Sequence, residues 1–237
     1  MLILGIDTST DILGLSLLED NEIKAEYNLS LKRQHSEKLL PLIEEMFNLL
    51  DLEPSDLDGI AVSVGPGSFT GLRIGITTAK MIGRIFSIPV KGVSTLEIMA
   101  EGVEGKYLLH LLDARRERVY YAFYQDVLPA DDNFLNEIFE PASIKIIELP
   151  KILAEYQKNK IYLIGEKNME AAEILRENNF KIKRAELESN YPRSAVLARL
   201  GRNYIKAGKE DDIYKIKPAY LKKPQAELNW QKKYGST

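Results

Sequence analysis

Hydrophobic and polar positions along the chain predict two successive α/β units. The first unit reads as three strands, a helix, a strand, a helix, a short strand and a last helix. The first strand, Leu2–Asp7, is almost entirely apolar, as expected for a strand that is buried on both faces. The other predicted elements of this unit are Ile12–Leu18, Glu22–Leu29, Gln34–Leu50, Gly59–Val64, Phe69–Phe86, Pro89–Lys91 and a helix from Ser94.

The second unit opens in the same way as the first. The strand Lys106–Leu112 ends at Asp113, just as the first strand of the chain ends at Asp7. In both units a hairpin partner then ends at an aspartate 13 residues later, and the offset between the units is 106 residues. Similarity at a fixed offset indicates a duplication. Further predicted elements are the strands Arg118–Gln125, Lys160–Ile164 and Phe180–Lys183 and the helices Met169–Asn178 and Arg193–Lys206.

Two similar units that each begin with a β-hairpin predict a two-lobed α/β fold of the actin, sugar-kinase and heat-shock ATPase class, with duplicated lobes. We expect an N-terminal lobe over residues 1–103 and a C-terminal lobe over residues 104–210. Residues 211–237, which include two prolines before residue 225, are expected to form an extended basic tail packed on the body. In this fold the turn after the first strand faces a cleft between the lobes.

The composition narrows the class of protein. Hydrophobic residues make up 45% and charged residues 28%, which is typical of a soluble globular chain. No cysteine and only two histidines are present, which excludes disulfides, thiol nucleophiles and Cys/His-rich metal sites. The net charge of −3 excludes a basic surface over the whole chain. We expect a cytoplasmic protein, because no signal peptide is evident and no apolar run approaches the ~20 residues of a membrane span.

A candidate nucleotide or anion site comprises Asp7, Thr8, Ser9, Ser68 and Asp113. An acid followed by hydroxyl groups at a strand end can orient a metal–phosphate group, and it can equally close a hairpin turn. Ser68 is placed to cap the second helix, whose N-terminal N–H groups could hold an anion. A purely structural turn is the alternative interpretation at both places.

The two long helices of the first unit have wider apolar faces than a single core requires. A helix resting on one core needs an apolar stripe of roughly 100°, whereas the first helix is apolar over about half its circumference. In the second helix small residues recur every four positions, although each helical glycine costs about 1 kcal/mol relative to alanine. Such a ridge permits close packing within the chain or against a partner. We favour a partner, and predict an interface of Leu39, Ile43, Met46, Phe47, Leu50, Gly71, Gly75, Ala79 and Gly83.

Six segments carry a resemblance to a known family: Ile3–Thr10, His35–Pro41, Gly65–Gly75, Gly92–Leu96, Leu112–Arg115 and Pro218–Leu221. Together they resemble the TsaB (YeaZ) family, subunits of the bacterial machinery that makes threonylcarbamoyladenosine in tRNA. The segment from Gly65 to Arg73 is the most specific of the six. The segments occur in order from residue 3 to residue 221, so the resemblance spans nearly the whole chain.

The resemblance implies that this chain shares the fold of TsaD, the catalytic paralogue, but has lost the catalytic activity of TsaD. TsaD-like proteins hold a metal through a His-x-x-x-His motif, and Thr95 and Met99 stand at those two positions here. Thr95 and Met99 are poor replacements for imidazole ligands. The segment after Asp113 also lacks the glycines that would let its backbone approach a phosphate. The resemblance therefore implies a subunit with no catalytic residues, metal or cofactor of its own.

The implied role is threonylcarbamoylation of the adenosine next to the anticodon in tRNAs that read ANN codons. By resemblance the chain would pair with a TsaD-like catalytic subunit, support a TsaE-like ATPase and contact tRNA through the complex. Alone it is expected to form a homodimer, and no membrane is implied. The alternative is an enzyme of the same superfamily: an ATP-dependent phosphotransferase with Asp7 and Asp113 flanking a nucleotide, or a metallopeptidase.

Overall fold

The computed structural model describes residues 1–31, 34–101, 103, 105–125, 136–219 and 221. The first unit forms a five-stranded mixed sheet with the strand order β3-β2-β1-β4-β5. Strand β1 is antiparallel to β2 and parallel to β4, which is itself parallel to β5. The elements are β1 Leu2–Asp7, β2 Ile12–Glu19, β3 Glu22–Ser30, α1 His35–Leu49, β4 Gly59–Gly65, α2 Phe69–Phe86, β5 Val90–Ser94 and α3 Thr95–Ala100. The predicted order of strands and helices in this unit is confirmed.

The second unit forms a second five-stranded sheet with the order β10-β9-β6-β7-β8. Strand β6 is antiparallel to β7 and parallel to β9, so the pairing repeats that of the first sheet. The repeated connectivity confirms the two-lobed α/β fold with duplicated lobes. The elements are β6 Tyr107–Asp113, β7 Arg118–Gln125, β8 Asn136–Lys145, α4 Leu149–Ile152, β9 Lys160–Ile164, α5 Asn168–Glu177, β10 Lys181–Arg184 and α6 Ser194–Lys206.

Helix α6 packs on the first sheet, although it lies within the range predicted for the C-terminal lobe. Leu197 and Ala198 are fully buried in one cluster with Ile3 and Ala61 of that sheet. A Cβ atom on Gly201 would lie 2.3 Å from Cβ of Ala61, so the helix needs a glycine to approach the sheet so closely. The predicted boundary at residue 210 therefore does not coincide with the packing, because the chain returns to the first lobe at α6.

The segment after α6 runs along the first lobe. Asp211 accepts a hydrogen bond from the Gly92 amide at 2.8 Å, and the Ala219 amide donates to the Val64 carbonyl at 2.7 Å. Residue 220 and residues 222–237, with four of the six tail lysines, lie outside the described residues. No helix in the described ranges is long and apolar enough to cross a membrane.

The predicted partner interface is wrong for most of its residues, because they lie inside the chain's own core. The apolar side chains of α1 in that set are at most 6% exposed, apart from Leu50, which is partly buried. They pack with β1, β2 and β4, while α2 packs beside them on the same face of the first sheet. The small residues of α2 are buried as well. The residues of the predicted interface that are buried within this chain are Leu39, Ile43, Met46, Phe47, Gly71, Gly75, Ala79 and Gly83.

Candidate functional site

Asp7 ends β1 at the edge where the parallel strands of the first sheet terminate. Its Oδ1 accepts hydrogen bonds from the amide and the hydroxyl of Ser9, at 3.0 and 2.9 Å. Its Oδ2 is buried and has no hydrogen-bond partner within the described part of the chain. Burial raises the pKa of Asp7 to about 6, against the opposing effect of the two Ser9 bonds and of the nearby Ser63 hydroxyl. A carboxyl group held in this way is expected to resist ionisation until near neutral pH.

The turn after β1 is joined directly to the start of α2. The Ser68 amide donates to the Ser9 carbonyl at 2.7 Å, and the Thr8 hydroxyl donates to the Gly71 carbonyl at the same distance. The Ser68 hydroxyl accepts from the Gly71 amide at 3.2 Å, so Ser68 caps α2 as the sequence indicates. Asp7, Thr8 and Ser9 are at most 1% exposed. The structure thus brings these residues together with Ser68 as a closed junction between turn and helix.

Asp113 occupies the corresponding strand end in the second lobe, but it has a different set of neighbours. Its carboxylate accepts from the amide of Arg115 at 2.8 Å and from the guanidinium of the same residue at 3.2 Å. Its amide donates to the Glu166 carboxylate at 3.2 Å, and burial raises the pKa of Glu166. No hydrogen bond within the described ranges joins Asp113 to Asp7. A nucleotide site formed by both aspartates stays a prediction.

The positions where the resemblance implies lost metal ligands lie in the interior. Thr95 is fully buried and its hydroxyl has no partner in the part of the chain that the structure describes, and Met99 is 2% exposed with its methyl group close to Gly165. Among the described residues no three His, Asp or Glu side chains converge in a way that could hold a metal ion. Met99 packs in the buried cluster between α3 and the second sheet.

A buried histidine lies on β6 of the second sheet, where the apolar residues around it in sequence predict a hydrogen-bonded core histidine; the burial is confirmed and the hydrogen bonding is not. His110 on β6 is fully buried, and neither ring nitrogen has a partner in the described structure. Its ring meets that of Tyr124 edge to face, with centroids 5.4 Å apart. Burial lowers the pKa of His110 to about 3, so the ring is neutral at physiological pH.

The outer face of α1 and α2 carries the apolar surface that the core leaves uncovered. On α2, Phe69, Arg73, Thr77, Met81 and Ile85 recur every four residues, and all are exposed. Such spacing places them in one stripe along the helix. The exposed fraction is 40% for Phe69, 44% for Met81 and 66% for Ile85. This outer stripe of α2, defined by the five residues above, lies on the opposite side of the helix from the buried glycines, because an offset of two residues corresponds to about 200° around the axis.

Helix α1 also exposes large apolar side chains. Leu40 and Leu49 are 48% and 69% exposed. A shallow depression of about 380 Å³ on the exposed face of α1 is lined by Pro41, Glu44, Glu45, Asn48 and Leu49. Contiguous apolar area on the surface of a soluble chain marks an interaction site more often than scattered single residues do.

The sequence of the whole chain matches that of a curated bacterial protein. It is 32% identical over 234 residues to the tRNA threonylcarbamoyladenosine biosynthesis protein TsaB of Bacillus subtilis, covering 97% of this chain and 98% of that one. This chain belongs to the TsaB family. The TsaB of Escherichia coli is 37% identical over 129 residues, covering 53% of this chain and 55% of its own. The family model of TsaD, tRNA N6-adenosine threonylcarbamoyltransferase, also matches residues 22–230.

Solved structures agree with this fold. YeaZ from Pseudomonas aeruginosa matches with a TM-score of 0.75 at 22% identity, covering 93% of this chain and 99% of that one. A crystal structure of an uncharacterised protein with similarity to peptidase YeaZ, also from Pseudomonas aeruginosa, has a TM-score of 0.76 at the same identity and coverage. At this identity the likeness shows the fold alone.

The charged residues near the outer stripe of α2 differ in sign between the two helices. Helix α1 exposes Glu44 and Glu45, whereas α2 exposes Arg73 and Arg84. The Arg73 guanidinium lies 3.9 Å from the centre of the Phe69 ring, so the charge is carried on apolar surface. The exposed side of α1 thus carries acidic residues and that of α2 basic residues.

Proposed function

We propose that this chain is a non-catalytic subunit required for threonylcarbamoylation of the adenosine next to the anticodon in tRNAs that read ANN codons. It pairs with a TsaD-like catalytic subunit, and together they work with a TsaE-like ATPase on tRNA. Membership of the TsaB family supports the process, because its relatives are called tRNA threonylcarbamoyladenosine biosynthesis proteins. The outer stripe of α2 is the observation that supports pairing.

Pairing through the outer face of α1 and α2 replaces the interface that the sequence predicted. Phe69, Met81 and Ile85 expose large apolar groups in one line, and Leu40 and Leu49 are exposed on α1. Aromatic residues, methionine and arginine are enriched in protein interfaces, and Arg73 accompanies Phe69 here. We propose that the same face binds the TsaD-like subunit in a near-two-fold arrangement, and a second copy of this chain when that subunit is absent.

The non-catalytic role is supported by what occupies the interior positions. A nucleotide could reach Asp7 only if the junction of Thr8 and Ser9 with α2 opened, because that junction is enclosed by the chain itself. Thr95 and Met99 offer no imidazole to a metal. We infer that this chain contributes a binding surface and that the TsaD-like subunit carries out the catalysis.

An ATP-dependent phosphotransferase is the alternative, and the unpartnered Oδ2 of Asp7 is the observation that favours it. Calorimetry with ATP and Mg²⁺ separates the two. Micromolar binding that is lost in Asp7→Ala, in a variant that still melts cooperatively, would support the enzyme. Absence of binding under the same conditions supports the non-catalytic subunit.

The proposed function is tested by mixing the purified chain with the TsaD-like subunit of the same organism. Size-exclusion chromatography with light scattering should give one peak at the mass of a heterodimer. With the TsaE-like ATPase, ATP and the threonylcarbamoyl donor present, modified adenosine should form in an ANN-reading tRNA only when this chain is included. Separate elution of the two subunits, or full modification without this chain, would contradict the proposal.

A further inference from the structure

Three exposed lysines and one half-buried tyrosine form a square at the β10 edge of the second sheet. Strands β9 and β10 are parallel, and Lys160 is the register partner of Lys181 while Tyr162 is that of Lys183. Register partners on neighbouring strands, and residues two apart on one strand, project from the same face. The lysine square, defined as Lys160, Tyr162, Lys181 and Lys183, therefore occupies one side of the sheet at its β10 edge.

The square lies on the opposite face of the sheet from the cluster that packs against α5. Ile161, between Lys160 and Tyr162, and Leu163, next to Tyr162, are fully buried in that cluster. On the face of the square, Tyr162 packs against the buried cluster formed by α3, β6 and β7, and the lysines lie at its margin. All three lysines are exposed, whereas Tyr162 is half-buried. The sheet alternation that buries the isoleucine and leucine thus sends the lysines outward.

Two lysines of the square make cation–π contacts with the ring of Tyr162. The Nζ atoms of Lys160 and Lys183 each lie 5.4 Å from the centre of the Tyr162 ring. Gly105 packs against the ring so closely that a Cβ atom there would lie 2.6 Å from its Cδ2. The ring is therefore fixed by backbone, and it presents two ammonium groups with an aromatic surface between them.

The positive charge of the square is not balanced within the described residues. No ion pair joins Lys160, Lys181 or Lys183 to a carboxylate there, while lysines elsewhere, such as Lys91 and Lys167, do have acidic partners. Like charges set side by side across a strand pair are unfavourable. A ligand that brings several negative charges would relieve this repulsion. On a chain with a net charge of −3, the square is a local exception.

We propose that the lysine square binds the phosphate backbone of tRNA; the proposal rests on the function proposed above and assigns the substrate a contact on this subunit. Lysine side chains can bind successive phosphates, and a fixed aromatic ring can pack on a ribose or stack on an unpaired base. The square lies on the second lobe and the proposed pairing face lies on α1 and α2 of the first. One chain could therefore hold its partner and the RNA at once.

The test is fluorescence anisotropy with an unmodified ANN-reading tRNA, measured on the full chain alone and in complex with the TsaD-like subunit. The triple variant Lys160→Gln/Lys181→Gln/Lys183→Gln should lose at least 10-fold in affinity at moderate salt. Each phosphate contact contributes about 0.7 to the slope of log K against log salt for a single strand, so the slope should fall by about 2. Tyr162→Ala should weaken binding as well, and Tyr162→Phe should keep it.

A matched control removes the same charge elsewhere in the second lobe. Lys145→Gln/Lys151→Gln/Lys158→Gln, three exposed lysines outside the square, should stay within about two-fold of the wild type. Equal losses in both triple variants would overturn the site, since net charge alone would then explain binding. Wild-type chain and complex that both fail to bind tRNA would overturn it too.

Two further outcomes separate this site from its alternatives. If polyglutamate competes as well as RNA of equal charge and Tyr162→Ala has no effect, the square serves an acidic protein and the RNA assignment is wrong. If the square variant pairs normally with the TsaD-like subunit and binds tRNA as the wild type does, the site fails while the proposed function stands. Failure of the wild-type chain to pair would contradict the proposed function instead.

Discussion

Thr8 and Gly71 touch backbone to backbone: a Cβ atom on Gly71 would lie 2.0 Å from the Thr8 carbonyl oxygen. The Thr8 hydroxyl donates to the Gly71 carbonyl at 2.7 Å across the same contact. Gly75, one turn further along α2, faces the Thr8 hydroxyl in a similarly close approach. The turn after β1 therefore covers the first part of the ridge of small residues on α2, and Gly83 at its far end faces Val90 of the same chain, so no second molecule is needed to explain the ridge.

Gly71→Ala should lower the free energy of unfolding of the isolated chain by about 1–3 kcal/mol, the usual cost of overpacking a tight site. Helix propensity alone predicts the opposite sign, because alanine is favoured over glycine by about 1 kcal/mol. Urea unfolding decides the sign. Thr77→Ala, on the exposed side of the same helix, is the control and should change stability by no more than about 0.5 kcal/mol. A Gly71→Ala chain as stable as the wild type would contradict the close contact.

The order and type of elements were predictable from sequence because burial periodicity is a local signal. The helix Phe69–Phe86 and the strand Arg118–Gln125 have the predicted bounds. Strand β8 was missed, since Asn136–Lys145 contains Pro141 and is half-exposed along most of its length. A strand without clear alternation gives little to recognise.

The predicted partner interface was wrong because a local sequence pattern does not show which part of the molecule covers a helix face. Apolar positions around half of α1 predicted a partner, yet the sheet and α2 cover Leu39 and Met46. Leu40 and Leu49, equally apolar in sequence, are the ones left exposed. Whether a glycine ridge meets its own chain depends on a turn more than 60 residues away, here Thr8 against Gly71. Only the tertiary structure contains that information.

Ile85→Lys should weaken pairing at least 10-fold, because it places a charge on the most exposed apolar residue of the outer stripe of α2. The side chain is 66% exposed, so folding should be preserved and the melting temperature should change little. Titration of the TsaD-like subunit by calorimetry, and light scattering of the chain alone, measure the two kinds of pairing.

The matched control for that variant is Ile147→Lys in the second lobe, where the side chain is also 66% exposed. This change should leave both kinds of pairing intact. Equal loss in the two variants, or none in Ile85→Lys, would count against α2 as the pairing surface.

Asp7→Asn should stabilise the chain at neutral pH, with an effect that depends on pH. Since burial raises the folded pKa to about 6, from 3.8, the associated stability is complete below about pH 4 and is lost as pH rises through 6. Above pH 7 the ionised carboxylate costs on the order of 3 kcal/mol. Asparagine avoids this cost and can still accept the Ser9 bonds.

Urea unfolding of wild type and Asp7→Asn at pH 4 and at pH 8 checks this expectation. The difference in unfolding free energy should be large at pH 8 and small at pH 4. Ser9→Ala serves as a control for the turn, because it removes one hydrogen bond to Oδ1 without removing the charge. A difference between wild type and Asp7→Asn that does not vary with pH would show that Asp7 ionises freely in the fold.

His110→Phe should stabilise the chain by about 1–3 kcal/mol at pH 7.5, because it removes two buried nitrogens that have no partner among the described residues. Phenylalanine has nearly the same shape and can keep the edge-to-face contact with Tyr124. The matched comparison is His110→Gln, which keeps unpaired polar atoms in the same place and should give no such gain.

The dependence of the unfolding free energy on pH below 7.5 tests the same histidine independently. Burial lowers the folded pKa of His110 to about 3, while the unfolded chain takes up the proton near pH 6.5. The stability contributed by the neutral ring is therefore complete above about pH 6.5 and falls by about 1.4 kcal/mol per pH unit as the pH drops towards 3. Chemical unfolding of wild type and His110→Phe between pH 7.5 and 4.5 should show their difference widening at that rate, since other acid effects are common to both. A constant difference over this range would mean that the imidazole reaches solvent or a partner on protonation.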